Sequence, residues 1–595
     1  MYILGITTNH NSTAALLQNG EIVACVSEER FTRVKNQAGI PKNAIQYCLG
    51  YAKISPNQLE AIAVADLLSA PLPPKTHPEK PTLFANILSR VLWLQDALES
   101  HIPLLRPIFF RLMTLPTGLL RARSQRNRLE QLRRILPVPL EKFTFIDHHT
   151  CHVYSGLFSS PFLTQAQSTK RRSAAQNILV FTADGAGDLK SATVGLYKDG
   201  SYTKLQTIDS QQSIGFFYLH ITQFLGLKPM EHEYKVMGLA PYAKDHKKIG
   251  SVYKKLSGFF EFDTKRAAWR IKVNEYLIQK KLPKLLAYTR FDHIAAATQK
   301  ITEELLVKWI RANVIRHKVT TIVCSGGVFA NVKVNQKMAQ LPNVKEIFFM
   351  PSPGDESNAI GAAFYTYWQL GGSSAALPAA QPLTHLYLGP RYSAREIQKA
   401  ITKDKNKAHY SAKRVKTINA TVAKLLAKGE VVARFSGRME FGARALGNRS
   451  ILAHPKKREV VEVINRAIKK RDFWMPFAPT ILREHAKDYL ILHKADSPFM
   501  NVAYDTTEKA RGELAAAIHP YDKTTRPQIL DRETNPGYWD VIKRFESLTG
   551  IGAVLNTSFN LHGEPIVASP ETALRVFVLS DLKHLALENW LLSKR

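Results

Sequence analysis

The chain has 595 residues, 45% hydrophobic and 22% charged, which excludes a disordered or fibrous class and gives room for about two large domains or three to four average ones. Four scattered cysteines exclude a disulfide framework and a cysteine zinc site, and neither a signal peptide nor an apolar run of about 18 residues is expected, so a cytoplasmic protein is. The net charge of +33 attracts anions such as nucleic acid, phosphorylated substrates or acidic membrane surfaces, unless it reflects a lineage-wide basic bias.

Residues 2–4 form an apolar run ending at Gly5, and a polar turn carrying His10 follows. Asn19-Gly20 then signals a tight hairpin, with a returning strand over residues 21–27. A glycine-and-hydroxyl turn of this kind exposes backbone N–H groups suited to a phosphate, and it also makes an ordinary hairpin. The charges of Ser27-Glu28-Glu29-Arg30-Phe31-Thr32-Arg33 suit a solvated helix face. Residues of about 68–140 change character. Pro71, Pro73, Pro74, Pro78 and Pro81 break the chain, and from Arg106 to Arg134 eight arginines stand against one acid, Glu130, interleaved with Phe109, Phe110, Leu112, Met113 and Leu115. This segment reads as a basic helical insertion. It docks on an acidic or amphiphilic partner, makes peripheral membrane contact, or carries solvated arginines.

Asp147-His148-His149-Thr150-Cys151-His152 places three imidazoles within five residues. On a helix, His148 and His152 project from one face and can grip one divalent metal, with carboxylates completing the shell. A chance cluster on a solvated helix has the same spacing. Residues 177–182 read as a buried strand ending in the turn Ala183-Asp184-Gly185-Ala186-Gly187-Asp188, and residues 191–197 return toward Asp199-Gly200. Two such hairpins pinching a phosphate chain are the logic of the fold shared by actin, sugar kinases and heat-shock chaperone ATPases.

Residues 231–242 are a dense polar cluster containing Lys235, with a surface loop as the plainer alternative. A β-branched strand over residues 320–324 enters Ser325-Gly326-Gly327, ahead of Asn331; paired glycines there permit close approach to a nucleotide. Asp355, after a strand over residues 346–350, suits a third metal ligand or a helix cap. The segment GGSSAALPAAQP at residues 371–382 reads as a linker, which divides the chain into domains 1–372 and 383–595. Beyond it, Arg438, Arg444 and Arg449 lie among three glycines in fifteen residues. Lys469-Lys470-Arg471-Asp472, Arg526-Pro527-Gln528 and Asn556-Thr557-Ser558-Phe559-Asn560 follow. Guanidiniums, amides and hydroxyls near strand ends suit a small, highly charged phosphate ligand, and surface ion pairs are the alternative.

These stretches resemble the ATP-dependent O-carbamoyltransferases of antibiotic, toxin and nodulation-factor biosynthesis. The resemblance rests on His10-Asn11-Ser12-Thr13-Ala14-Ala15-Leu16, Ser27-Glu28-Glu29-Arg30-Phe31, the histidine cluster with Ser159-Ser160-Pro161-Phe162, and residues 235–242. It continues through Ser325-Gly326-Gly327, Pro353-Gly354-Asp355, residues 437–455, residues 475–479 and the run LNTSFNLHGEPIV at 555–567. Only about 68–140 lies outside it. It implies an α/β fold with an N-terminal actin-like duplicated ATPase-type domain, similar to the metal-bearing component of tRNA threonylcarbamoyl-adenosine synthesis. A C-terminal YrdC-like twisted-sheet α/β domain would complete it.

The resemblance implies that carbamoyl phosphate and ATP, with Mg(II), give carbamoyl adenylate and pyrophosphate. The carbamoyl group then passes to a hydroxyl of a small-molecule or sugar acceptor, releasing AMP. By matched position, His148, His152 and Asp355 would bind a divalent metal, Fe(II). Gly185, Gly187, Lys235, Gly326, Gly327 and Asn331 would hold the adenylate, and His10 would be the general base. Arg438, Arg444, Lys469, Arg471, Arg526, Asn556 and Ser558 would bind carbamoyl phosphate and ATP. Two positions depart from the family: Asn11 stands where Asp is common, and Met475 where Arg is frequent. A tRNA threonylcarbamoyladenosine-type modification enzyme is the alternative, favoured by the charge. A nucleotide-gated binding protein of the actin class is a third reading. Nucleic acid is a less favoured partner, and the oligomeric state is left open, with a homodimer as one candidate.

Overall fold

Two hairpin turns set the architecture. Asn19-Gly20 and Asp199-Gly200 each adopt positive φ at both positions (49° and 88°, 50° and 77°), the geometry whose twist matches flanking antiparallel strands. A computed structural model describes residues 1–68, 117–163, 177–273, 275–371, 380–469 and 472–595, the side chains of 117–120, 275 and 276 aside. Most of the expected insertion (69–116), most of the linker (372–379), Lys470 and Arg471 lie outside the described residues.

Each turn belongs to a five-stranded sheet. In the first, the order is Glu21–Ser27, Thr13–Gln18, Tyr2–Thr7, Ala61–Ala65, Phe143–Ile146. The first three strands run antiparallel, and Ala61–Ala65 and Phe143–Ile146 add in parallel. The second repeats both order and sense with Ser201–Asp209, Lys190–Lys198, Ile178–Gly187, Thr321–Ser325 and Glu346–Phe349. This repetition is the duplicated actin-like arrangement. The helices His148–Ser159 and Asn358–Gly371 pack together so closely that a Cβ on Gly361 would lie 1.8 Å from Cys151 O. That contact brings the histidine helix and the Asp355 segment together.

The remaining chain builds one eight-stranded mixed sheet. Its order is Tyr410–Arg414, Trp590–Lys594, His584–Leu587, Val432–Phe435, Arg449–Ala453, Ala553–Ser558, Ala478–Leu482, Gln528–Leu530. The chain past residue 380 leans on the first sheet and the histidine helix, where Gln381 N donates to Gly20 O and Leu383 N to Ser159 O. Among the described residues no helix is long and apolar enough to cross a membrane.

Three local expectations are corrected. The strand expected over 177–182 continues through Gly187, and the hairpin turns at Asp188-Leu189 instead (φ 49° and 66°). The Asp188 carboxylate stabilises that turn by accepting three backbone N–H groups, those of Leu67, Leu68 and His148. The charges of Ser27 to Arg33 are not a solvated face. Glu28 accepts from Asn43 N and Ala44 N at the start of the helix Lys42–Ala52, and buried Arg30 donates to Gly442 O at 2.7 Å. Residues 231–242 are no surface loop: the helix Glu233–Leu239 buries Lys235 and Val236.

Candidate functional site

The histidine helix begins at Asp147, whose side chain accepts from Thr150 N at 3.0 Å and pairs with Lys190. A capped start at that residue turns His148, His149 and His152 inward, where none exceeds 2% exposure. His148 Nδ1–H donates to Asp66 Oδ1 at 2.6 Å, which leaves Nε2 as the free ligand atom. That nitrogen lies 3.1 Å from His152 Nε2, 3.1 Å from Asp184 Oδ2 and 3.7 Å from Asp355 Oδ1. His152 Nε2 is 3.7 Å from Asp355 Oδ1 and 4.0 Å from Asp184 Oδ2. His148, His152, Asp184 and Asp355 thus offer ligand atoms that all lie within 4.8 Å of one another.

These separations fit one divalent ion. Donors about 2.1 Å from a common centre stand roughly 3.0–3.4 Å apart at right or tetrahedral angles, and farther apart when opposed. Electrostatics point the same way. Burial, then the Asp184 charge, pushes the Asp355 carboxyl well above its ordinary range. Burial opposes ionisation of Asp184, but the hydrogen bond from His148 and the charges of His148, His152 and His149 hold it below the usual range. Burial opposes protonation of His148, yet the charges of Asp355 and Asp66 raise it. Burial, then the His148 charge, lowers His152 to about 4. Two half-buried carboxylates crowded against two buried imidazoles are the donor set that a dication at their centre would stabilise.

Glycines shape the wall. A Cβ on Gly187 would fall 2.0 Å from His148 Cγ, so only glycine lets the imidazole sit there. Gly326 holds φ 105° with Ala183 O against it, and Gly327 N donates to Asp184 Oδ1 at 2.9 Å. Gly185 packs on Phe216. His10 is half-buried in the turn between the first two strands. Asn11 adopts φ 59°, a left-handed conformation that Asn tolerates well. Asn331 caps the helix Val332–Ala339 and exchanges hydrogen bonds with Gln299. Lys235 pairs with Asp472 at 2.9 Å, and Met475 packs on Gly238.

The second basic group divides. Lys469, on a single π-helical turn, donates to Ser558 Oγ at 3.1 Å and to Asn560 Oδ1 at 2.8 Å. Asn556 Nδ2 donates to Ala445 O and Thr480 Oγ1, while its buried Oδ1 has no partner among the described residues. Arg526 donates to Met500 O. Among the described residues no hydrogen bond engages the Arg444 guanidinium; burial lowers its pKa, against the charges of Tyr234 and Glu356. Arg438 has its donors engaged. It donates to Leu388 O at 2.7 Å, Val23 O at 2.9 Å and Tyr51 Oη at 2.9 Å, tying the two parts of the chain together. Arg449, fully buried, donates to backbone carbonyls and lies over the Phe435 ring.

Sequence reasoning missed Asp184 as a donor and missed Asp66, Asp188 and Arg128 altogether. The first had a signal, a carboxylate in a glycine turn opposite the histidines. Asp66 had a weaker one, a carboxylate just past the end of a parallel strand, where such sheets place their sites.

The carbamoyltransferase N-terminus family pattern matches residues 2–69 and 121–364, and the carbamoyltransferase C-terminus pattern matches residues 423–594. Nodulation protein NolNO of Sinorhizobium fredii is 30% identical over 99% of this chain and 80% of its own length. The uncharacterized protein sll1178 of Synechocystis is 31% identical over 100% of this chain and 97% of its own. The uncharacterized protein MJ1051 of Methanocaldococcus jannaschii is 30% identical over 100% and 99%. With both family patterns matched in order and relatives aligned along the whole length, the chain belongs to the carbamoyltransferase family and is a carbamoyltransferase.

Proposed function

We propose that the chain is an O-carbamoyltransferase working in two steps, with a carbamoyl-adenylate-forming domain at 383–595 and a transfer domain at 1–372. In the first step carbamoyl phosphate loses its phosphate to water, and the carbamate oxygen attacks the ATP α-phosphorus. Carbamoyl adenylate forms and pyrophosphate leaves; the atoms balance with one water consumed and one orthophosphate released. Arg444, Lys469, Arg526, Asn556 and Ser558 are the groups for those phosphates. Arg444 is the strongest of them, because among the described residues no hydrogen bond engages its guanidinium, while burial lowers its pKa. Arg438 is weaker, since its donors already meet carbonyls.

In the second step an acceptor hydroxyl attacks the carbamoyl carbon, the bond from that carbon to the phosphate oxygen breaks, and AMP leaves. His10 takes the hydroxyl proton, and the glycines at 185, 187, 326 and 327 let backbone come close to the adenylate. A divalent metal, Fe(II), bound by His148, His152, Asp184 and Asp355 would act as a Lewis acid toward the adenylate phosphate. The observation that carries this reading is the four-donor cluster set against those glycines. The acceptor class is a hydroxylated small molecule or sugar. Labelled carbamoyl phosphate tests it: His10→Ala is expected to form carbamoyl adenylate and to slow transfer about 100-fold or more. Transfer at the wild-type rate would remove His10 from the reaction.

A further inference from the structure

We propose that Arg128 is a positioning residue for the candidate metal site. It holds the backbone of residues 65–67, that backbone holds Asp66, and Asp66 fixes the imidazole of His148. The inference rests on the metal reading given above.

Arg128 lies on the helix Thr117–Arg133, which returns the chain from residues 69–116. Arg123, Arg126 and Arg133 on that helix are exposed, whereas Arg128 is 5% exposed. Burying a guanidinium is costly unless its donors are used. Here Nη1 reaches Ala65 O at 3.2 Å and Thr8 Oγ1 at 3.4 Å, and Nη2 reaches Asp66 O at 2.7 Å and Leu67 O at 3.2 Å. The group also lies over the Phe145 ring, 4.8 Å from its centroid. Three of its four acceptors are consecutive carbonyls around one residue, a planar fork's match that a lysine lacks.

That residue needs holding. Asp66 adopts φ 72°, a left-handed conformation that an aspartate takes where hydrogen bonds support it. Asp188 holds the same segment from the other side, accepting Leu67 N at 2.9 Å, Leu68 N at 2.8 Å and His148 N at 2.8 Å. Asn9 Nδ2 donates to Asp66 Oδ2 at 2.8 Å. What remains is Asp66 Oδ1, 2.6 Å from His148 Nδ1. A carboxylate on that nitrogen fixes which ring nitrogen carries the proton and aims Nε2 at Asp184, Asp355 and His152. The helix that returns from the insertion therefore reaches the metal donors through one chain of contacts.

Co(II) titration of the purified full chain tests this, read by visible absorption, for wild type, Arg128→Met, Asp66→Asn and the double variant. Each single substitution is expected to weaken Co(II) binding about 10- to 100-fold and alter its spectrum. The double variant should be no weaker than the worse single one, because both act on one imidazole. Thermal unfolding checks that each variant is folded. If Arg128→Met does not fold, Arg128→Lys, which keeps the charge and loses the fork, is read by the same criteria. Wild-type affinity in the Arg128 variant, or a loss that adds fully to that of Asp66→Asn, would overturn the inference. A wild type that binds no Co(II) would instead overturn the metal reading beneath it.

Discussion

His148 Nε2 and His152 Nε2 face each other at 3.1 Å inside walls that leave their side chains 2% and 0% exposed. Two ring nitrogens at that distance repel unless a proton or a cation lies between them. With Asp184 and Asp355 alongside, a cation is the better answer. His152→Ala is expected to purify with at least about 100-fold weaker metal binding, since a donor is lost outright rather than misaimed. Metal content by mass spectrometry checks it, and full occupancy in that variant would refute the donor assignment.

Arg438 and Arg444 are separated by six residues and by their surroundings. Arg438 is held by Leu388 O, Val23 O and Tyr51, so Arg438→Ala should cost about 1–3 kcal/mol of stability. Its KM for carbamoyl phosphate should stay within about twofold of wild type. Denaturant titration and steady-state kinetics measure the two effects, and a large KM rise with unchanged stability would reverse the assignment.

Gly187 faces the ring of His148, with 2.0 Å between the site of a Cβ and His148 Cγ. Gly187→Ala is expected to push the imidazole aside at about 1–3 kcal/mol and to weaken metal binding with it. Thermal unfolding and Co(II) absorption measured on one preparation report both. Unchanged absorption would mean that the backbone had yielded instead.

His454 gives the chain a stability slope in mild acid. It is 6% exposed, lies edge-on to Phe545, and its Nδ1 accepts Lys456 N–H at 3.2 Å. Burial, then the charges of Lys457 and Lys456, lowers its pKa from 6.5 to about 4. Between those values the unfolded chain binds a proton that the folded chain does not, so stability falls as pH drops through that window. The urea midpoint should fall less between about pH 7 and pH 5 in His454→Asn, whose amide oxygen keeps the acceptor. Equal falls would contradict the assignment.

Much of the first part was legible because turn chemistry is local. Asn19-Gly20 and Asp199-Gly200 require positive φ, and Asn, Asp and Gly supply it, so both hairpins could be read directly. His148 and His152 declare themselves by spacing. Asp66 and Asp188 do not, because their roles depend on which strand lies beside which helix. Arg128 was hidden for a related reason. Among eight arginines from Arg106 to Arg134, nothing local marks Arg128 as one that turns inward. The turn at Asp188-Leu189 was misplaced because glycines at 185 and 187 signal a turn, whereas here they make room for Phe216 and His148.

The most direct measurement is pyrophosphate release from ATP, with and without carbamoyl phosphate, in wild type and Arg444→Ala. Release that requires carbamoyl phosphate, and that falls about 100-fold or more in the variant, is the expected result. Release that requires threonine and bicarbonate instead, or none at all with ATP still bound, would contradict adenylate formation by this chain.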